Sequence, residues 1–216
     1  MSGYQPVHGV GIGAELVRSQ VVAWVCSMAR SLKDCICMKI YILKADPDSY
    51  QSLVLSLDED NIWYRWLSGK PVAQEWPTPQ VDVIYQDPKG KWLPSSDFPS
   101  FTVSHIPVFS GRAVEILGEL LTKNGELLPL NCIDGEYFAY NTLNLVSALD
   151  QEKSDIVRFS TGRIMTVRKY ALFEDKLTDQ IIFKIPEIVL LSVFVTDRFK
   201  DKIEAAGLTG FCFTEI

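Results

Sequence analysis

The chain has 216 residues, is 47% hydrophobic, and carries a formal net charge of −6 from 27 acidic and 21 basic side chains. That length supports one sizeable core, and the composition excludes a mostly disordered chain, a collagen-like repeat and a coiled coil. The acidic balance argues against broad nucleic-acid binding, which needs a basic face to displace counterions.

Residues 1–37 are low in charge and hold Cys26, Cys35 and Cys37. Ala14, Val17, Val21, Trp24 or Val25, Met28 and Leu32 recur at spacings of three and four, which predicts one amphipathic helix. Gly9-x-Gly11-x-x-Ala14 matches a dinucleotide fingerprint on paper. That motif requires a hydrophobic strand before the first glycine, and Tyr4–His8, with Pro6 at its centre, is a poor one. The remaining cysteines are Cys132 and Cys212. Five irregularly spaced thiols without a C-x-x-C pair support neither a disulfide framework nor a structural zinc site. No apolar run reaches the roughly 18 residues of a membrane helix. No Lys or Arg precedes the best apolar window, Val21–Met28, within the first 14 residues, unlike a secretory signal. The expected location is cytoplasmic, with no membrane and no nucleic acid among the partners.

A new start occurs at Met38. Lys39–Leu43 reads as a strand, and Asp46-Pro47-Asp48 ends it with turn chemistry. Seven of the eleven prolines then lie between Pro71 and Pro107, and four of the five tryptophans are Trp63, Trp66, Trp76 and Trp92. Such proline density forbids long helices, while the tryptophans argue against a disordered linker. An ordered loop layer over 58–107, with a short strand at Val81–Tyr85, is the expectation.

From Val108 the pattern is regular. Ser110 is placed to cap a helix whose apolar face is Val114, Leu117, Leu120 and Leu121, and Asn124-Gly125 ends it. Glu136–Tyr140 reads as a strand and Leu143–Leu149 as a short helix. Ile156–Phe159 and Arg163–Phe173 read as strands around Ser160-Thr161-Gly162, followed by strands at Ile181–Ile185 and Ser192–Val195. Thr196 is placed to cap a helix through Phe199, Ile203 and Ala206, with Gly207 and Leu208 as a Schellman ending. Gly210–Ile216 closes as a strand. The fold class is α+β: a single domain over 38–216 with an antiparallel or mixed sheet, a few helices and a Pro/Trp-rich loop layer. Residues 1–37 stand apart as an N-terminal extension or a misassigned start.

Catalytic signatures are missing: there is no G-x-S-x-G, P-loop, H-E-x-x-H or EF-hand loop. His8 and His105 are the only histidines, and both read as structural. Cys132 is followed by Asp134 and Glu136, whose charge opposes a nucleophilic thiolate. Asp134-Gly135-Glu136 reads as a hairpin turn. Asp58-Glu59-Asp60 is the densest acidic cluster, but adjacent carboxylates point apart and do not converge on a metal. Arg158, Arg163, Arg168 and Lys169 read as ordinary exposed faces of a hairpin. No catalytic residue, cofactor or metal ligand is assigned.

The second half resembles a known bacterial family. The resemblance rests on Pro107–Ser110 leading into the Ala113–Leu121 helix, then Glu126–Leu130, Gly135–Phe138 and Asn141–Leu143. It continues through Val146–Asp150, Arg163–Met165, Phe183–Glu187, Val193–Asp197 and Glu204–Phe211. In order and spacing these stretches resemble immunity-protein family 11 of bacterial polymorphic toxin systems, strongly over 107–216, loosely over 38–106 and not over 1–37. The resemblance implies a binder that neutralises a cognate toxin by stoichiometric complex formation, not an enzyme. Asp58, Glu59, Asp60, Trp63, Trp66, Trp76 and Trp92 are the expected toxin-interface candidates, because aromatic anchors carry hot-spot energy and carboxylates steer a basic toxin. Two alternatives remain: an interaction module without a toxin, and a detoxifying hydrolase using Asp58, Glu59 or His105.

Overall fold

In the computed structural model, residues 3, 38–56, 68–101 and 106–216 are described. The predicted helix of residues 1–37 lies outside them. Twelve strands and two helices follow from Ile40 onward among the described residues. Four strands form the central sheet: β1 (Ile40–Ala45), β10 (Ile182–Phe183), β11 (Phe194–Thr196) and β12 (Phe211–Glu215). Their order is β10-β11-β1-β12, and all neighbours are antiparallel.

The sequence of β1 explains its central place. Tyr41 and Leu43 enter one core, while Ile40 and the partly buried Ile42 enter another on the opposite face. A strand buried on both faces needs a continuous apolar run rather than alternation. β11 follows the same rule, with Val195 on the first face and Phe194 on the second.

Helix α1 (Gly111–Asn124) and helix α2 (Asp197–Ala205) cover the first face. Leu117 and Leu121 of α1 meet Phe199 and Ile203 of α2 over Tyr41, Val195 and Ile182. Both helices begin at the end of a strand. The Ser110 hydroxyl accepts from the Ala113 amide, as an N-cap should. Thr196 precedes α2 in extended geometry but makes no capping bond, contrary to expectation. Its hydroxyl donates instead to the Gln180 carbonyl, and Asp197 accepts the Arg198 and Lys39 amides. The Schellman ending is present: Leu208 N–H reaches Ile203 O, Gly207 N–H reaches Glu204 O, and Gly207 has φ +60°.

Two three-stranded sheets enclose the second core. One holds β2 (Ser52–Leu55) between antiparallel β3 (Val81–Ile84) and parallel β4 (Ser100–Phe101). The other holds β7 (Tyr137–Thr142) between β5 (Val108–Ser110) and β6 (Gly125–Leu130). Leu53, Val81, Leu128 and Ala139 pack between them. The third core lies beneath the hairpin of β8 (Asp155–Arg158) and β9 (Ile164–Lys169), where Val167 meets Phe183, Ile185 and Phe194.

One expected element is overturned. Leu143–Leu149 is not helical: it runs as irregular chain with isolated bridges at Leu145 and Leu149. Its apolar residues at 143, 146 and 149 imitate a helical face, but its backbone bonds go elsewhere. Val146 N–H donates to Lys184 O, Lys184 N–H to Asn144 O, and Phe173 N–H to Ala148 O. A neighbouring strand edge satisfied the peptide groups more fully than one isolated helical turn would. The other expected strands are present, though β9, β10 and β11 are shorter than their apolar runs. Val81–Ile84 and the β6–β7 turn at 133–135 stand where the sequence placed them. The structure is α+β, mostly β with two helices among the described residues.

Candidate functional site

Five of the seven expected interface residues, Asp58, Glu59, Asp60, Trp63 and Trp66, lie outside the described residues, as do His8 and His105. The other two take different roles. Trp76 is half-buried against the second core, and its indole N–H donates to the Pro129 carbonyl at 2.7 Å. That is a scaffold position. Trp92 is 67% exposed.

Two turns hold Trp92 in place. Pro88–Lys91 reverses the chain after β3, and the Asp87 carboxylate accepts the Lys89 and Lys91 amides. The returning strand pairs Trp92 with Gln86, and Leu93 N–H donates to Tyr85 O. The Tyr85 and Trp92 rings touch at 5.7 Å between centroids. The second turn joins β6 to β7 and carries Ile133, which is 91% exposed. Asp134 in that turn accepts a hydrogen bond from the Tyr85 hydroxyl, which pushes the phenol pKa up. The bond fixes the turns to each other: Tyr85 and Trp92 lie together on one, and Ile133 stands exposed on the other, next to Asp134.

The same two loops continue into a polar cleft of about 540 Å³, lined by Ser96, Asp97, Arg112, Glu115, Glu136 and Thr209 among others. Asp97 is buried and joins three parts of the chain. Its carboxylate accepts from Arg112, from the Ser110 hydroxyl, and from the amide and hydroxyl of Thr209. Gly111 N–H donates to Glu136 O, so the start of α1 grips both loops. This network makes the support of the two turns rigid.

The residues of the hydrolase alternative, Asp58, Glu59 and His105, lie outside the described residues. Among the described residues no group of three His, Cys, Asp or Glu side chains could hold a metal ion. Cys132 and Cys212 are unbridged. Cys212 lies in β12, where burial pushes its thiol pKa up, with Asp46 adding to the effect. Among the described residues no helix is long and apolar enough to cross a membrane.

Sequence reasoning missed Tyr85 and Ile133. A signal for Ile133 existed: an isoleucine beside Asp134-Gly135 sits in a turn, where no core awaits it. Tyr85 could not be told from a core aromatic at a strand end.

Residues 131–216 match the model of the Immunity protein family (Imm11). The matched stretch holds β7 to β12 and α2, with the Ile133–Asp134 turn at its start. No curated protein matches the chain.

Proposed function

We propose that the chain is an immunity protein that binds a cognate bacterial toxin one to one in the cytoplasm of the producing cell, and neutralises it without turnover. The family match over 131–216 supports toxin neutralisation in general. The observation that carries the binding mode is the exposure of Trp92 (67%), packed on Tyr85, and of Ile133 (91%) on the turn that Tyr85 bonds. A monomer gains nothing by exposing a tryptophan and an isoleucine on two cross-bonded turns, whereas an interface uses both as anchors. An interface of roughly 1,600 Å² is the expected size. Asp58, Glu59, Asp60, Trp63 and Trp66 remain toxin-interface candidates from the sequence, the carboxylates suited to a basic toxin face. Trp76 is a weaker candidate because its indole N–H already has a partner.

The test is co-expression of the full chain with the protein encoded immediately upstream of it. Rescued growth together with a stable one-to-one complex on size exclusion supports the reading. Protection at strongly sub-stoichiometric ratios would favour the hydrolase alternative. An upstream protein that is toxic but neither bound nor neutralised would favour the interaction module.

A further inference from the structure

The β8–β9 hairpin departs from the charge of the rest of the chain. Its two strands and turn, residues 155–169, contain Arg158, Arg163, Arg168 and Lys169 against one acid, Asp155, which stands opposite Lys169, within a chain of net charge −6. Phe159 and Met165 are each half exposed on the same hairpin. The register between β8 and β9 shifts twice: Val157 opposes Thr166 while Arg158 opposes Ile164, and Ile156 opposes Val167 while Asp155 opposes Lys169. Met165 and Arg168 are therefore the extra residues of two bulges. Bulges re-aim side chains and cluster beside functional sites.

Among the described residues, β9 has a strand partner on one side only. Met165, Thr166 and Val167 help to line a groove of about 500 Å³, together with Phe98, Phe101 and Leu191 among others. Successive side chains of a strand point to opposite faces, so Thr166 and Val167, both lining residues beyond the Met165 bulge, bring the edge of β9 to the groove. Tyr170, which also lines it, is held by a hydrogen bond with Ser192. Among the described lining residues, the charged one is Lys44, again a cation.

From these features we infer that the hairpin and its groove receive an acidic, extended segment of the toxin. The segment lies along the edge of β9 that has no strand partner among the described residues, places apolar side chains in the groove, and sets carboxylates against Arg163, Arg168 and Lys169. Strand addition supplies main-chain hydrogen bonds, and the alternate side chains supply selectivity. Arg158 is excluded from the contact set because its guanidinium already bonds Gly162 O and the Gln151 side chain. A nucleic acid is the poorer occupant: four cations on an acidic chain give little counterion release, and an apolar groove offers a phosphate nothing. This inference rests on the toxin-binding reading and adds a second contact, distinct from Trp92 and Ile133.

The test measures toxin binding by the full chain, its Arg163→Glu/Arg168→Glu/Lys169→Glu variant and its Met165→Asp variant. Circular dichroism and thermal melts check that each is folded. The charge-reversed variant is expected to bind roughly 30-fold or more weakly, and the wild-type affinity to fall as salt rises from about 50 to 500 mM. Met165→Asp is expected to weaken binding with little change in that salt dependence. A folded charge-reversed variant that binds as wild type does would overturn the docking inference and leave the immunity reading intact. Absence of any complex with the wild-type chain would overturn both. Binding of a fluorescein-labelled single-stranded RNA 20-mer by the wild type, lost in the charge-reversed variant, would transfer the hairpin to a nucleic acid.

Discussion

The Arg112 guanidinium donates to the Asp97 carboxylate at 2.6 Å, with the arginine half exposed and the aspartate buried. The pair joins the first turn of α1 to the loop after Trp92. Two further residues, Ser110 and Thr209, direct donors at the same carboxylate. Asp97 thus links β5, α1 and the turn that enters β12.

Removing the carboxylate takes the acceptor from Ser110, Arg112 and Thr209, of which Ser110 is half-buried and the other two are exposed. Asp97→Ala is expected to destabilise by about 2–3 kcal/mol, the cost of losing several hydrogen bonds to one buried charged group. Arg112→Ala leaves the carboxylate with its Ser110 and Thr209 donors and should cost less, about 1 kcal/mol. Urea unfolding of both variants checks the order. Equal losses would mean that the arginine, not the neutral donors, dominates the network.

The two described tryptophans of the Pro-rich layer should separate cleanly. Trp92→Ala is expected to leave stability within about 1 kcal/mol of wild type while weakening the toxin complex by about 2 kcal/mol or more. Trp76→Ala removes a packed ring and a bond to Pro129 O, and should lower stability by about 3 kcal/mol. Paired melting and binding measurements decide; a stability loss at Trp92 matching that at Trp76 would remove Trp92 from the binding account.

Gly210 is a glycine that the fold cannot exchange. Its φ is +87°, and a Cβ there would lie 2.6 Å from Ser96 Oγ and 2.7 Å from Phe98 O. Gly90 has a similar φ of +82° with open space around it. Gly90→Ala should cost about 1 kcal/mol of backbone strain, whereas Gly210→Ala adds a collision with backbone and should abolish soluble expression or cost well over 2 kcal/mol.

Lys184 sets a pH dependence. Burial lowers its pKa from 10.5 to about 8. Between those two values the unfolded chain binds more protons at this site than the folded one, so stability rises as pH increases from about 8. The full rise corresponds to about 3 kcal/mol. Buried Tyr140, whose pKa is raised by burial, acts in the opposite sense above about pH 10, where the unfolded chain loses that proton first. The clean comparison is therefore wild type against Lys184→Met from pH 7 to 10: the wild-type gain should shrink in the variant. Parallel stability profiles would show that Lys184 does not titrate in this window.

Much of the scaffold was legible because it is governed by local rules. Ser110 capping α1, the Gly207 Schellman ending and the Asp46–Asp48 turn each need only a few consecutive residues. The continuous apolar run of β1 likewise announces a strand buried on both faces. The false helix at 143–149 shows the limit, since its spacing satisfies a helical face while its hydrogen bonds go to Lys184 and Phe173 from more than twenty residues away. β2 and β6 were missed for a related reason. Leu53 and Leu55 alternate over only four residues, and Pro129 lies within β6, so their strand character comes from the partners they pair with.

The sequence by itself determined the α+β class, the strand that opens at Ile40, the two helix frames and the resemblance to an immunity family. All of these follow from periodicity, capping chemistry or ordered short stretches. Only the tertiary structure decided which of Trp76 and Trp92 faces outward, that Tyr85 packs on the latter and bonds the turn of Ile133, and that Met165 and Arg168 sit on bulges beside a groove. Those outcomes depend on contacts between turns far apart in the chain, such as the Tyr85 hydroxyl on Asp134, and on burial, which no local pattern of an aromatic side chain encodes.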